Sequence, residues 1–227
     1  LVIWGGTHPT IRPEECLDYA DMVCIGEGEE TIIELTKKIE NNQDYYDTKG
    51  MGFNNKGKKI VNKFRELPGS EKAKINSLDQ LPFQDHDYKS QYIMKEGNIV
   101  KMDLETVTNL RLNEFYQTQP TRGCPFACTF CVNNTYIAMH PHQKPIRKRS
   151  VDNIIAELKG VKNNLPFTKI ILFDDDAFFI MPLEEIRDFS IKYKELIGLP
   201  LVVTGATPST LTKEKLSLLV DAGLVGM

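Results

Sequence analysis

The sequence predicts an α/β chain whose strands form parallel sheets, in two βα parts separated by a less regular stretch. Three observations carry this. Apolar runs of strand length alternate with helical periodicity over residues 1–40, the periodicity lapses over about 41–112, and strand–helix pairs follow one another from Phe115 onward. Strands joined by helices need crossovers, which makes them neighbours in a parallel sheet, either open or closed into a barrel.

The front part opens with a strand at Leu1–Trp4, a turn at Gly5-Gly6 and a short helix near Pro13–Tyr19. A strand at Met22–Ile25 and a helix over about Glu29–Glu40 complete it. This order suits the last portion of a doubly wound sheet, in which ligands sit beyond the carboxyl ends of the strands. Gly5-Gly6-Thr7-His8 and Gly26-Glu27-Gly28-Glu29 fall at those ends, and glycine there lets backbone approach a ligand closely. In the middle stretch, Asn54-Asn55-Lys56-Gly57 and Lys95-Glu96-Gly97-Asn98 each precede a β-type run and predict hairpins. Leu78–Phe83 reads as an extended connector, because residues before proline avoid the helical region.

The last part starts with a strand at Phe115–Thr121. Ser150 is placed to cap a helix whose Val151, Ile154, Ile155, Leu158 and Val161 keep helical spacing. Lys169–Phe173 is a buried-type strand ending in Asp174-Asp175-Asp176, and a helix from near Pro182 carries Ile186, Phe189, Tyr193 and Leu196 on one side. Leu199–Thr204 is the next strand, after which Thr212 can cap a helix running to Ala222.

Composition narrows the class. With 227 residues, 41% hydrophobic, 26% charged and a net charge of -3, the chain is an ordinary globular sequence without a general basic field for nucleic acid. The local cluster Lys144, Arg147, Lys148 and Arg149 reads as a solvated approach to a helix. No apolar run reaches the roughly 20 residues of a membrane span and no signal segment opens the chain, so a soluble, cytoplasmic protein is expected. Both ends look cut: residue 1 is not Met and opens directly on a strand, and the chain stops after a helix stop at Gly223 where a strand should begin, so a fragment is expected.

Five cysteines are an odd number, and Cys124, Cys128 and Cys131 crowd into one loop, which argues for a metal rather than a disulfide framework. Cys16 and Cys24 read as packed thiols. Three thiolates on a short loop can bind three irons of a cubane and leave the fourth iron open to a non-protein ligand. A Cys3His zinc site using His140 or His142, or a ferredoxin-like electron carrier, is an alternative from the same residues. Asp174-Asp175-Asp176 is the second informative point, because adjacent carboxylates must be separated by a cation, a helix start or solvent.

The run Pro120-Thr121-Arg122-Gly123-Cys124-Pro125-Phe126-Ala127-Cys128-Thr129-Phe130-Cys131 resembles the radical S-adenosylmethionine (SAM) superfamily, whose cysteines are spaced by three and then two residues with an aromatic before the last. The resemblance implies that Cys124, Cys128 and Cys131 bind a 4Fe-4S cluster, that Phe130 lies against the adenine of SAM, and that Asp175 or Asp176, followed by Phe178, meets its amino group. Arg147–Ser150 is similar to the stretch between the cysteine loop and the first helix in that family, and Gly205-Ala206-Thr207-Pro208 to a turn on the cofactor side. Residues 1–43 resemble the carboxyl-terminal part of a Rossmann-like cobalamin-binding domain, with Gly5, Gly6, Gly26, Glu27 and Gly28 toward the cofactor and His8 solvent-facing or hydrogen-bonding rather than bound to cobalt. A linker with hairpins over 44–112 and the first half of a radical SAM (β/α) barrel over 113–227 complete the layout.

The implied activity is reductive cleavage of SAM with cobalamin-dependent methyl transfer or radical rearrangement on a small-molecule or lipid-like substrate. A reductant such as flavodoxin or ferredoxin would serve it. A methylthiotransferase-like enzyme with a scaffold front domain is the alternative. No catalytic residue toward the substrate is identified.

Overall fold

The computed structural model describes residues 1–109 and 114–227, so the expected boundary at 112/113 lies outside the described residues. In chain order the elements are β1 (Ile3–Trp4), α1 (Thr7–Ile11), α2 (Pro13–Cys16), β2 (Met22–Cys24), α3 (Glu29–Glu40), β3 (Met51–Asn55), β4 (Lys58–Val61), β5 (Tyr92–Lys95), β6 (Asn98–Lys101) and α4 (Leu104–Asn109). There follow β7 (Phe115–Thr118), β8 (Thr121–Gly123), α5 (Val132–Met139), β9 (Ile146–Lys148), α6 (Val151–Asn164), β10 (Ile170–Phe173), α7 (Leu183–Leu196), β11 (Leu201–Val203), α8 (Lys213–Ala222) and β12 (Leu224–Gly226). Contacts divide them into two units, Leu1–Gln80 with Phe126–Pro145, and Leu81–Pro125 with Ile146–Met227. The middle stretch is therefore shared, its first hairpin in one unit and its second in the other. Among the described residues no helix is long and apolar enough to cross a membrane.

In the first unit, β1 and β2 pair in parallel and the β3–β4 hairpin continues the sheet antiparallel, in the order β1-β2-β3-β4. Lys56 and Gly57 both have positive φ (52° and 88°), the two-residue turn whose twist matches its flanking strands. Glu96 and Gly97 (51° and 80°) repeat the device between β5 and β6. The run Met22–Ile25 is apolar throughout because both faces of β2 are covered: Met22 and Cys24 pack with Leu35, Met51 and Phe53, while Val23 and Ile25 pack with Cys16 and Leu17. Helix α3 carries Glu29 and Glu30 in its first turn and Lys37 and Lys38 in its last, each sign facing the favourable end of the helix dipole. Helices α1 and α5 have no expectation in the sequence. Leu78–Gln80 forms a 3-10 turn rather than an extended connector, because Pro82 restricts only Leu81 directly before it.

In the second unit, β7, β10, β11 and β12 form a wholly parallel sheet in the order β12-β11-β10-β7. The expected strand Phe115–Thr121 is divided: β7 ends at Thr118, and after Pro120, which cannot donate to a ladder, β8 pairs antiparallel with β9. Ser150 Oγ accepts from the Asn153 amide at 3.2 Å and Thr212 Oγ1 from the Lys215 amide at 3.2 Å, so both caps form as the sequence suggests. Gly223 ends α8 with φ 117°, and Leu224 starts the strand beside β11. The core joins the buried face of α6 to an aromatic cluster of Phe173, Phe178, Phe179, Phe189 and Tyr193. Leu196 is 40% exposed, contrary to its expected place on the inner side of α7, and Ile197 just past the helix end is buried instead.

The basic cluster also departs from expectation. Arg147 on β9 is buried, and Arg149 Nη1 reaches the carboxylate of Glu157 on α6 at 2.6 Å while its guanidinium lies 5.6 Å from the centre of the Phe83 ring. Glu157, 2% exposed, also accepts from Tyr116 Oη at 2.9 Å and Thr118 Oγ1 at 3.0 Å, joining β7 to α6. Burial, and then the Glu157 charge, push the Tyr116 phenol far above its ordinary pKa, so it stays a donor. Removing one partner of a buried ion pair strands the other, at a cost of about 3–5 kcal/mol. Glu157→Ala should therefore lower the unfolding midpoint strongly, and Glu157→Gln, which keeps an acceptor in place, should lower it less. Equal midpoints for both variants and the wild type in denaturant titrations would remove the network from the account of stability.

Candidate functional site

Strands β7, β10 and β11 end side by side, and the residues just beyond them form one cluster. The Asp174 amide donates to the Thr118 carbonyl (3.2 Å) and the Thr204 amide to the Phe173 carbonyl (2.9 Å). Thr204 Oγ1 in turn accepts from the Asp175 amide at 2.9 Å. At Gly205, φ is 74° and a Cβ would stand 2.0 Å from the Asp175 carbonyl oxygen, so only glycine lets β11 run so close under the acidic turn.

The three carboxylates separate by pointing to different surroundings, Asp174 and Asp176 exposed and Asp175 buried at 2% exposure. Asp174 Oδ2 accepts from Gln117 Nε2 at 2.6 Å. Asp175 Oδ2 accepts from the Thr121 amide at 2.6 Å, and its Oδ1 from Thr121 Oγ1 at 2.6 Å and the Ala177 amide at 2.8 Å. Thr121 stands three residues before Cys124, so Asp175 fastens the base of the cysteine loop to the end of β10. Sequence reasoning missed Thr121, because the contact joins residues 54 apart and leaves no local periodicity.

In the loop itself, Cys124 is buried, Cys128 is exposed and Cys131 is intermediate, all three as thiols rather than in disulfides. The Cys131 amide donates to the Cys128 carbonyl at 3.0 Å, and Cys131 is the N-cap of α5. Phe130 between them is 93% exposed. Among the described residues no three His, Cys, Asp or Glu side chains are gathered as a metal site. The donor chemistry fits an iron–sulfur cluster: three cysteine sulfurs, that of Cys128 on an exposed residue, on a loop whose base is fixed.

At the carboxyl ends of β1 and β2, Gly6 and Gly26 have φ of 100° and 78°, and a Cβ on either would meet nothing within 4 Å. Their glycines serve backbone conformation and leave open space beside them. Gly5 and Gly28 instead pack on Cys24, with a Cβ falling 3.7 Å from its Cβ and 3.4 Å from its Sγ, and Glu27 is half-buried. Buried Thr10, a second residue missed from sequence, joins the two glycine turns: its hydroxyl donates to the Gly6 carbonyl at 2.7 Å and accepts from the Gly26 amide at 3.0 Å. His8 lies 3.4 Å from Glu15 and edge-on to Trp4.

The Asp175 contacts make a prediction. In Asp175→Asn one carboxylate oxygen becomes an NH2, so a buried donor faces either the Thr121 amide or the Ala177 amide, and such an unsatisfied group costs about 1–3 kcal/mol. Burial raises the Asp175 pKa above its ordinary value, against the lowering by the Thr121 and Ala177 hydrogen bonds. A raised folded-state pKa means that this residue's contribution to stability is complete below its unfolded pKa and is lost as pH rises through the raised one. The stability gap between wild type and Asp175→Asn should therefore narrow over that rise, which denaturant titrations at several pH values check.

Residues 118–227 match the model of the Radical SAM superfamily. Over 221 residues the chain is 26% identical to an uncharacterized methyltransferase of Pyrococcus horikoshii, covering 96% of this chain and 42% of that protein. Over 149 residues it is 24% identical to an anaerobic magnesium-protoporphyrin IX monomethyl ester cyclase of Synechocystis, covering 64% of this chain and 26% of the cyclase. Among solved structures, the radical SAM methyltransferase TsrM from Kitasatospora setae with cobalamin and a 4Fe-4S cluster bound matches with TM-score 0.65 and 18% identity, over 98% of this chain and 41% of TsrM. The cobalamin-dependent radical SAM enzyme OxsB, with aqua-cobalamin and SAM bound, gives TM-score 0.61 and 17% identity, over 98% of this chain and 30% of OxsB. The chain thus spans less than half the length of these relatives, and the structural matches establish its α/β fold. The similarity to the Radical SAM superfamily thus lies in residues 118–227 of this chain.

Proposed function

We propose that the chain is part of a radical SAM enzyme in which Cys124, Cys128 and Cys131 hold a 4Fe-4S cluster. The observation that carries this is the set of three thiols spaced by three and then two residues on the loop whose base is tied to the carboxyl end of a parallel sheet. Bound there, the cluster would supply the electron that splits the S–C5′ bond of SAM into methionine and a 5′-deoxyadenosyl radical. The protein's part is positional. Asp175 spends both carboxylate oxygens on Thr121 and Ala177 and so holds the turn, and the exposed Asp176 beside it would receive the ammonium of SAM. The exposed ring of Phe130 offers a face to the adenine.

The same reading takes the reaction to be methyl transfer and the front segment, residues 1–43, to be the end of a cobalamin-binding domain joined through 44–112 to a barrel over 113–227. Gly5, Gly6, Gly26, Glu27 and Gly28 would hold cobalamin, which supplies a methyl-carrying cobalt. The open space beside Gly6 and Gly26, the cobalamin in TsrM and OxsB, and the methyltransferase relative support it. Reduction would come from a flavodoxin or ferredoxin, and the substrate would be a small or lipid-like molecule.

Anaerobic reconstitution tests the cluster assignment. Wild type should take up iron and sulfide in matching amounts and form 5′-deoxyadenosine or methyl-transfer products from SAM, and Cys128→Ala should lose both properties. Cys128→Ala with undiminished iron and turnover would refute the ligand set. Cobalt measured in the same samples, from cells grown with ample cobalamin, should accompany the iron; iron without cobalt favours a scaffold front domain.

A further inference from the structure

Within the first unit, the segment after β4 and the segment after α5 border a cleft of about 610 Å³ that none of the residues proposed for the cluster, SAM or cobalamin lines. Its wall is rich in hydrogen-bond donors. Ser70, only 8% exposed, has a buried hydroxyl with no partner among the described residues, and the buried Nε of Arg65 likewise has none. The other nitrogens of Arg65 are committed to Glu30 and Glu34, so its Nε–H is a donor in need of an acceptor. Lys63 and Lys72, both exposed, border the same space, and Lys144 faces Glu71 at 3.5 Å.

The ring wall is oriented too. Phe64 and His140 lie 5.6 Å apart, centre to centre. Gln143 Oε1 accepts from the Leu67 amide at 3.0 Å, which leaves its Nε2 to donate to His140 Nδ1 at 3.1 Å. With Gln143 Nε2 donating to it, Nδ1 of a neutral His140 is the acceptor of the pair. Carboxylates are fewer on this wall, Glu66 and the already paired Glu71.

We propose that this cleft binds a small organic anion with a flat ring, the ring against Phe64 and the phosphate or carboxylate oxygens taken by Lys63, Lys72 and the unpartnered donors of Ser70 and Arg65. Unpaired buried donors are costly, and acceptor oxygens of a ligand would satisfy them; the ring face gives the apolar part its place. The inference does not depend on the cluster or on SAM.

Phenyl phosphate is a direct probe, titrated into the cluster-loaded protein without SAM and followed by ligand-observed NMR. It should bind saturably, more tightly than phenol or inorganic phosphate alone, and more weakly at higher ionic strength. Lys63→Ala and Lys72→Ala, both at exposed positions, should each weaken it about two- to fivefold, in keeping with partly exposed charge contacts. Phe64→Ala should weaken phenyl phosphate about two- to tenfold and leave inorganic phosphate unchanged. Equal affinity for phenol and phenyl phosphate, indifference to both lysine substitutions, or no saturable binding below roughly 10 mM would each overturn the proposal.

Discussion

The carboxylate of Asp175 sits out of solvent with three donors on it, two from Thr121 and one from Ala177. A buried charge is tolerated only when its lone pairs are filled, and here the donors come from the strand that leads into the cysteine loop. The consequence is geometric. The chain leaves β7 at Thr118, passes Pro120, and is caught by Asp175 before it enters the loop, so the position of the loop's base follows from the end of β10. Gly205 and Thr204 close the arrangement from the other side, because β11 must come against the backbone of the same turn.

A similar device recurs in the front unit, where the single hydroxyl of Thr10 links the turns after β1 and β2. Both parallel pairings thus end in loops tied together by a buried polar side chain. That suits loops that must remain open on their outer side. Deeper in the second unit, Glu157 and Arg149 do the corresponding job between sheet and helix, and the aromatic cluster around Phe178 and Phe189 fills the space beneath the acidic turn.

Much of this was legible in the sequence where the cause is local. The limits of α3, the caps at Ser150 and Thr212, the two hairpin turns and the inner face of α6 follow from periodicity and capping chemistry over a few residues. The cysteine spacing is likewise a local pattern, and it pointed to the radical SAM domain that the family comparison supports. What failed was long-range. Nothing near Arg147 and Arg149 announces that they are covered, since Glu157 lies a helix turn or more away and the sheet on the far side; nothing near Asp175 marks it as the inward member of three identical residues. Pro120 was a local signal that a strand through Thr121 underweighted, because it forbids a ladder bond at that position.

The central claim is that the three loop thiols hold a cluster with one iron left for SAM. Electron paramagnetic resonance of the anaerobically reconstituted, reduced protein addresses it most directly, recorded with and without SAM. The expected result is the signal of a reduced 4Fe-4S cluster that changes shape when SAM is added and does not change with methionine-free buffer alone. A cluster signal indifferent to SAM, or stoichiometric zinc with no iron signal, would contradict the account.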